Sequence, residues 1–391
     1  MPSSGLELRP FDRASDSRDQ KDQKDEKDQS TSSKLKDQIC MRILIATVQV
    51  PFIRGGAEVH AEGLRDALRD AGHETEIIAV PFKWYPPERI IDHMLACRLL
   101  DVSEVMGTPV DLLIGLRFPA YLIPHPNKVM WILHQFRTAY ELWDHQLGDL
   151  IYSPNGAEVR DAIRQADRQF ISQARACFAN SANVAARLKY FCDIEATPLY
   201  HPPPYADKFH SAEAEDYLFF PSRLCLPKRQ ALVLEALAHT KNPVRVRFAG
   251  AADQPAYQNE LKSLARKLRV QNRVDWLGQI EEEEKRELYA RALGVIYPPV
   301  DEDYGYVTLE AMLASKPLIV CSDSGGPLEF VRHEETGLIA EPEPHNLARA
   351  LDRVWKDREL AKKWGEAGNA LYRKMNISWS NVVQKLVSAS R

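Results

Sequence analysis

The chain has 391 residues, 45% of them hydrophobic and 27% charged, with a formal net charge of -4 at pH 7. That length provides for two domains with cores of their own, and a slightly acidic balance argues against nucleic acid as the main partner, since a phosphate backbone calls for a basic face. No run of about 18 apolar residues occurs, so no membrane-spanning helix is expected, and the six cysteines are scattered without a C-x-x-C pair, which points to neither a disulfide framework nor a zinc site and suits a reducing cytoplasm.

Residues 1–40 carry eight Lys or Arg, nine Asp or Glu and the near-repeat KDQKDEKDQ, with Phe11 as their one aromatic residue. Such a stretch cannot bury enough apolar area to offset the entropy of ordering it. It is read as a disordered charged tail, without the apolar core of a signal peptide. The regular pattern starts at Met41. Residues 42–47 (RILIAT) form a buried-strand run, and after Arg54-Gly55-Gly56 an amphipathic helix places Val59, Leu64, Ala67 and Leu68 on one face. Gly55 and Gly56 either make a tight turn or let a ligand approach the backbone, and the helix N-terminus behind them favours negative charge. Gly72 and His73 end that helix, and residues 76–80 begin the next strand.

Residues 82–110 bring Lys83, Trp84, Tyr85, Arg89 and His93 ahead of the strand-like run at 111–115. They read as a packed helix and loop, or as a rim able to hold an acceptor sugar or a lipid phosphate. Residues 129–133 are another strand, with His134 at its carboxyl end and Arg137 beyond. A lone His there is either a structural hydrogen-bonder or a group facing a ligand. A long helical stretch at 158–178 follows, and then TPLYHPPP at 197–204, whose prolines continue neither helix nor sheet. Residues up to about Asp216 therefore read as a linker between two domains.

The second half opens with a strand at 217–221. Arg223 and Lys228 come next, ahead of a helix at 231–238. Two cations after a strand either neutralise a diphosphate, Arg by a bidentate fork and Lys as a point charge, or form a solvated basic loop. Strands at 244–249 and 273–277 flank a helix at 257–268, and Glu281, Glu282, Glu283 and Glu284 start a further helix as surface residues. The densest pattern is YPPVDEDYGYVTLEAMLASKPLIVCSDSGG at 297–326. Here a strand at 292–297 ends at two prolines, an acidic loop (Asp301, Glu302, Asp303) leads through Gly305 into a helix that Pro317 closes, and a second strand follows. In a parallel sheet that loop falls at the carboxyl end of its strand, where α/β ligands bind. The N–H groups of Tyr306, Val307 and Thr308 would face an anion there, most simply a phosphate. Glu302 before the helix and Glu310 one turn inside it can each accept two hydrogen bonds from vicinal hydroxyls. Hydroxyls on both sides of phosphates describe a nucleoside diphosphate sugar. Beyond this unit, residues 327–331 read as a helix start, 336–339 as a turn and short strand, 345–355 as a helix, and 379–386 as a last amphipathic helix.

The E-x7-E spacing of Glu302 and Glu310, set in P-P-x-x-E-x-x-G-x-x-x-L-E-A and followed by S-G-G at Ser324, Gly325 and Gly326, resembles the group 1 (GT4-like) family of retaining glycosyltransferases. Gly55-Gly56-Ala57-Glu58 is similar to its GGAE signature. Ser181, Arg187 and Leu188 resemble its xSxxxxxRL helix, and Arg223, Leu224 and Lys228 its G-R-L-x-x-x-K-G motif. The chain departs from the pattern at Asp303-Tyr304, where the family has Gly-Phe, and at Ser222, Arg229 and Ser315, which stand where it has glycine.

The resemblance, from about Met41 onward, implies an α/β protein of GT-B fold with two doubly wound Rossmann-like domains facing a cleft: an acceptor domain at 41–205, a donor domain at 216–375, and a C-terminal helix at 376–391 crossing back to the first. It implies transfer of a hexose of mannose or glucose type from a UDP- or GDP-sugar to a glycan or lipid-linked acceptor, with retention of configuration. His134 and Glu302 would be catalytic. Donor binding would fall to Arg223 and Lys228 on the diphosphate, Glu302 on hexose hydroxyls, Glu310 on the ribose, and Gly305, Tyr306, Val307 and Thr308 at the helix start. Gly55, Gly56 and Arg137 would form an acceptor or phosphate loop. Neither a metal nor a cofactor is expected, nor any nucleic acid, and the location implied is the cytoplasm, including the inner face of the membrane. Two other classes stay open. A sugar-nucleotide 2-epimerase would need acid and base carboxylates on both faces of the sugar, and a non-catalytic sugar-nucleotide binder would lack a polar first-domain wall.

Overall fold

The computed structural model describes residues 40–391, so all of the charged tail but Cys40 lies outside the described residues. Twelve strands form two six-stranded sheets. The first sheet contains β1 (Arg42–Gln49), β2 (Glu74–Pro81), β3 (Leu112–Arg117), β4 (Lys128–His134), β5 (Ala176–Ala179) and β6 (Thr197–Pro198), in the spatial order β2-β1-β3-β4-β5-β6. Its pairings are all parallel. Helices α1 (Gly56–Asp70), α2 (Glu88–Leu99), α3 (Gly156–Ile171) and α4 (Ala182–Cys192) connect these strands. A sheet covered on both faces needs strands that are apolar on both sides, which is why RILIAT and MWIL read as unbroken hydrophobic runs. Ile43 and Ile45 point to one core, and Ala46 and Val48 to the other.

The second sheet repeats the plan with β7 (Leu218–Pro221), β8 (Val246–Ala249), β9 (Val274–Gly278), β10 (Gly294–Ile296), β11 (Leu318–Cys321) and β12 (Gly337–Ala340), ordered β9-β8-β7-β10-β11-β12. Its helices are α5 (Gln230–His239), α6 (Pro255–Lys267), α7 (Glu282–Arg291), α8 (Tyr306–Leu313), α9 (Pro344–Lys356) and α10 (Arg358–Lys374). In each sheet the strand order reverses beside the first strand, between β1 and β3 and between β7 and β10. Such a switch point opens a crevice at the carboxyl ends of the strands, and it receives the loops after β1, β7 and β10.

Helix α11 (Trp379–Ser388) leaves the second half of the chain and packs on the first sheet, burying Val382, Val383, Leu386 and Val387 with Ile43, Ile45 and Trp131. Gly63 of α1 makes this possible, since a Cβ there would lie 2.5 Å from the Trp379 ring. Two expected helices are shorter than the sequence suggests. The stretch at 158–178 breaks after Ile171 so that β5 can pair with β4. The segment at 327–331 is one 3-10 turn, Gly326–Glu329, because Phe330 then turns into the core against Tyr200 and Tyr304. No helix among the described residues is long and apolar enough to cross a membrane.

Candidate active site

The acidic loop after β10 is held as an extra strand against the chain leaving β11. Asp301 N–H donates to Asp323 O and Glu302 N–H to Ser324 O, both at 2.9 Å, and Gly326 N–H returns to Glu302 O at 2.7 Å. The S-G-G motif serves this approach: Gly325 has φ +69, and a Cβ on it would come within 2.7 Å of both Glu302 O and Asn183 Nδ2. Gly305, at φ +81, turns the loop into α8.

Glu302, Lys228 and Tyr297 meet at the mouth of α8. Tyr297 OH donates to Glu302 Oε2 at 3.0 Å, Lys228 Nζ donates to Tyr297 OH at 2.9 Å, and the ammonium pairs directly with the carboxylate. Burial works against the Lys228 charge, but the Glu302 carboxylate outweighs it and holds the ammonium above its ordinary pKa. Two of its three N–H donors are thereby used, and one is left for a phosphate. The lysine loop is brought here by Val300 N–H, which donates to Pro227 O at 2.8 Å. Arg229, in a glycine position of the motif, nonetheless takes the left-handed conformation (φ +58), and its guanidinium pairs through both nitrogens with Asp323 at 2.6 Å. Ser315 likewise adopts φ +54 at the glycine position after α8.

Arg223 is not brought to Glu302. Its side chain is exposed and pairs at 2.8 Å with Asp253, on the loop after β8, which neutralises it locally. Glu310 is buried and doubly held: Tyr289 OH donates at 2.7 Å and Lys285 Nζ at 3.0 Å. Burial opposes the charge of Lys285, and Glu310 overcomes it and raises the pKa. Sequence reasoning passed over Lys285, Tyr289 and Tyr297. The first two lie four apart on one face of α7, a signal masked by the exposed glutamates that start this helix. The Thr308 N–H bonds to Gly305 O at 3.0 Å and so is spent inside the turn, a correction to the three-amide cradle. Tyr306 and Val307 keep first-turn N–H groups that no helical carbonyl reaches.

The first-domain residues line the other side. Gly56 faces Tyr306, whose ring lies 3.6 Å from where its Cβ would stand. The Gly55 N–H is capped at 2.8 Å by Glu58, which in turn pairs with Arg117 at 2.8 Å, so the GGAE glutamate braces its own loop. His134 Nδ1 lies 2.7 Å from Gln135 O, which makes Nδ1–H the donor and leaves Nε2 as the acceptor of a neutral ring. Burial lowers the His134 pKa against the opposing pull of Asp303. Arg137 reaches across to the acidic loop, donating to Asp301 O at 2.8 Å while its Nε donates to Glu141 at 2.6 Å.

A family model described as glycosyl transferases group 1 matches residues 204–370. Over 89% of its length the chain is 30% identical to an uncharacterized glycosyltransferase, MJ1607 of Methanocaldococcus jannaschii, covering 97% of that protein. The chain belongs to the group 1 glycosyltransferases. It is also 31% identical to the human alpha-1,3/1,6-mannosyltransferase ALG2, over 37% of each chain. Among solved structures, a sucrose-phosphate synthase from Thermosynechococcus elongatus superposes with a TM-score of 0.71 at 16% identity, covering 89% of this chain and 98% of that one. Anabaena HepE in complex with UDP-glucose does so with a TM-score of 0.65 at 17% identity, covering 88% and 98%. At such identities these two show the fold, which is GT-B. In this glycosyltransferase Arg137, after β4, and Gly56, at the start of α1, meet the acidic loop and the start of α8, so groups from both lobes come together beside Glu302.

Proposed function

We propose that this glycosyltransferase moves a hexose of mannose or glucose type from a UDP- or GDP-sugar to a glycan or lipid-linked acceptor, with retention of anomeric configuration. The observation that carries the proposal is the meeting of Lys228, Tyr297 and Glu302 beside the N-terminus of α8, with Glu310 one turn inside. The hexose class draws on the ALG2 relative, a mannosyltransferase, and on HepE, seen with UDP-glucose.

In this scheme the third N–H of Lys228 and the amides of Tyr306 and Val307 bind the diphosphate, and they gain strength as negative charge grows on the leaving oxygen. Glu302 accepts hydrogen bonds from hexose hydroxyls, and Glu310, oriented by Lys285 and Tyr289, accepts them from the ribose. Arg223 joins the diphosphate by exchanging Asp253 for it. The bond from C1 to the phosphate oxygen breaks as the acceptor hydroxyl adds to C1 on the same face, and the departing oxygen takes the hydroxyl proton. The Nε2 of His134 lies on the sugar side as a neutral acceptor. Positive charge comes from the chain itself, so the scheme runs without a metal. Residues 52–56 and the β4 loop border the acceptor, and a lipid-linked acceptor would place the reaction at the cytoplasmic face of a membrane.

Incubating the protein with radiolabelled UDP- and GDP-hexoses, with and without glycan acceptors, tests this reading. Transfer that requires acceptor is the expected result. Conversion of donor alone would establish the 2-epimerase, and tight binding without turnover would establish the non-catalytic binder.

A further inference from the structure

The loop that carries Glu302 is fastened from the opposite lobe. On α4, Asn183 Nδ2 donates to Asp301 Oδ1 at 2.8 Å and to Glu302 O at 3.0 Å, and Arg187 Nη2 donates to Asp301 O at 2.7 Å. The Arg187 guanidinium also pairs directly with Asp303. Burial would keep Asp303 neutral, but Arg137 and Arg187 overcome this and hold it well below the usual carboxylate range. The next residue is fastened too: Tyr304 OH accepts from His201 N–H at 3.1 Å and donates to His201 O at 2.6 Å, on the linker between the lobes. The second lobe reciprocates, since Glu329 accepts the N–H groups of Ala182 at 2.9 Å and Asn183 at 2.8 Å and so caps α4.

Asp303 and Tyr304 are the two positions where the chain departs from the Gly-Phe of its family pattern, and neither Gly nor Phe can form these bonds. A glycine has no carboxylate for Arg187, and a phenylalanine has no hydroxyl for the His201 backbone. We infer that Asp303 and Tyr304 are positioning residues that tie the Glu302 loop to the first lobe and so set where Glu302 stands against the donor. The second half of this statement rests on the donor-binding role proposed for Glu302.

The test uses Asp303→Asn, which keeps the shape and removes the charge, and Tyr304→Phe, which removes only the hydroxyl. Hydrogen exchange on the full chain without substrate is expected to quicken tenfold or more at residues 299–305 and 182–187 in Asp303→Asn, and to a smaller extent in Tyr304→Phe. With the substrate pair that supports transfer, kcat is expected to fall about 100-fold in Asp303→Asn with KM changed little, since a displacement of about 1 Å costs that much. Adding Arg187→Met to Asp303→Asn should quicken exchange at both segments further, because Arg187 also donates to Asp301 O and pairs with the Asp301 carboxylate, contacts that Asp303→Asn leaves in place. Unchanged exchange at both segments in both variants overturns the tether, whatever the activity. Quickened exchange with kcat within threefold of wild type overturns the positioning role. A wild type that turns over no nucleotide sugar, with quickened exchange in the variants, upholds the tether and removes the transferase reading instead.

Discussion

Lys228→Ala tests the donor site most directly. The side chain is 15% exposed and its partner Glu302 20% exposed, so the pair is largely but not fully withdrawn from water. Breaking a fully buried pair costs about 3–5 kcal/mol. Here Tyr297 still donates to Glu302 at 3.0 Å and water reaches both groups, so a loss of about 1–3 kcal/mol in folding stability is expected. The effect on turnover should be larger. Removing one preorganised donor from a developing anion costs roughly 10²–10³ in kcat, or about 3–4 kcal/mol of barrier. Lys228→Arg should fall between wild type and Ala, since it keeps the charge in a fork that the Tyr297–Glu302 corner does not match. Initial rates of donor consumption at saturating acceptor give the first number, and urea melts give the second. A folded Lys228→Ala enzyme with kcat within fivefold of wild type would refute the leaving-group role.

Three further outcomes follow from the packing. His60 is fully buried between Trp131 and His201, at ring centroid distances of 4.3 and 4.2 Å, and burial, with Arg117 adding to it, brings its pKa down to about 3. The unfolded chain protonates this ring first, so its share of stability is intact above pH 6.5 and is lost as pH falls from there toward 3, at up to about 1.4 kcal/mol per pH unit. The stability of His60→Phe relative to wild type should therefore rise on acidification between pH 6.5 and 4, and parallel curves would sink the argument. Gly63→Ala should lower stability by about 1–3 kcal/mol by pushing the Trp379 ring, and a thermal melt that does not move would show that the C-terminal helix yields freely. At position 229, Gly should be near neutral, as relief of about 1 kcal/mol of backbone strain offsets the loss of a half-exposed ion pair, whereas Ala should be about 1 kcal/mol less stable than Gly. An Ala variant as stable as Gly would contradict the strain at φ +58.

The alternation of strand and helix was legible because each buried strand and each amphipathic helix writes its own period into consecutive residues. For the same reason the E-x7-E loop, Gly305 and the lysine loop could be found from local spacing, and Lys228 does stand beside Glu302. Glycine positions proved less informative than the backbone they serve: Arg229 and Ser315 take left-handed conformations without being glycine, Arg229 tied to Asp323 and Ser315 closing α8. The partners of the site were not legible. Glu310 with Tyr289 and Lys285, Arg223 with Asp253, Arg187 with Asp303 and Glu329 with the start of α4 are separated by 21 to 147 residues. Hydrophobic period and turn chemistry act over a few residues and so specify which elements form. Which charge meets which depends on how two sheets and their loops are set face to face, and only the tertiary structure decides that.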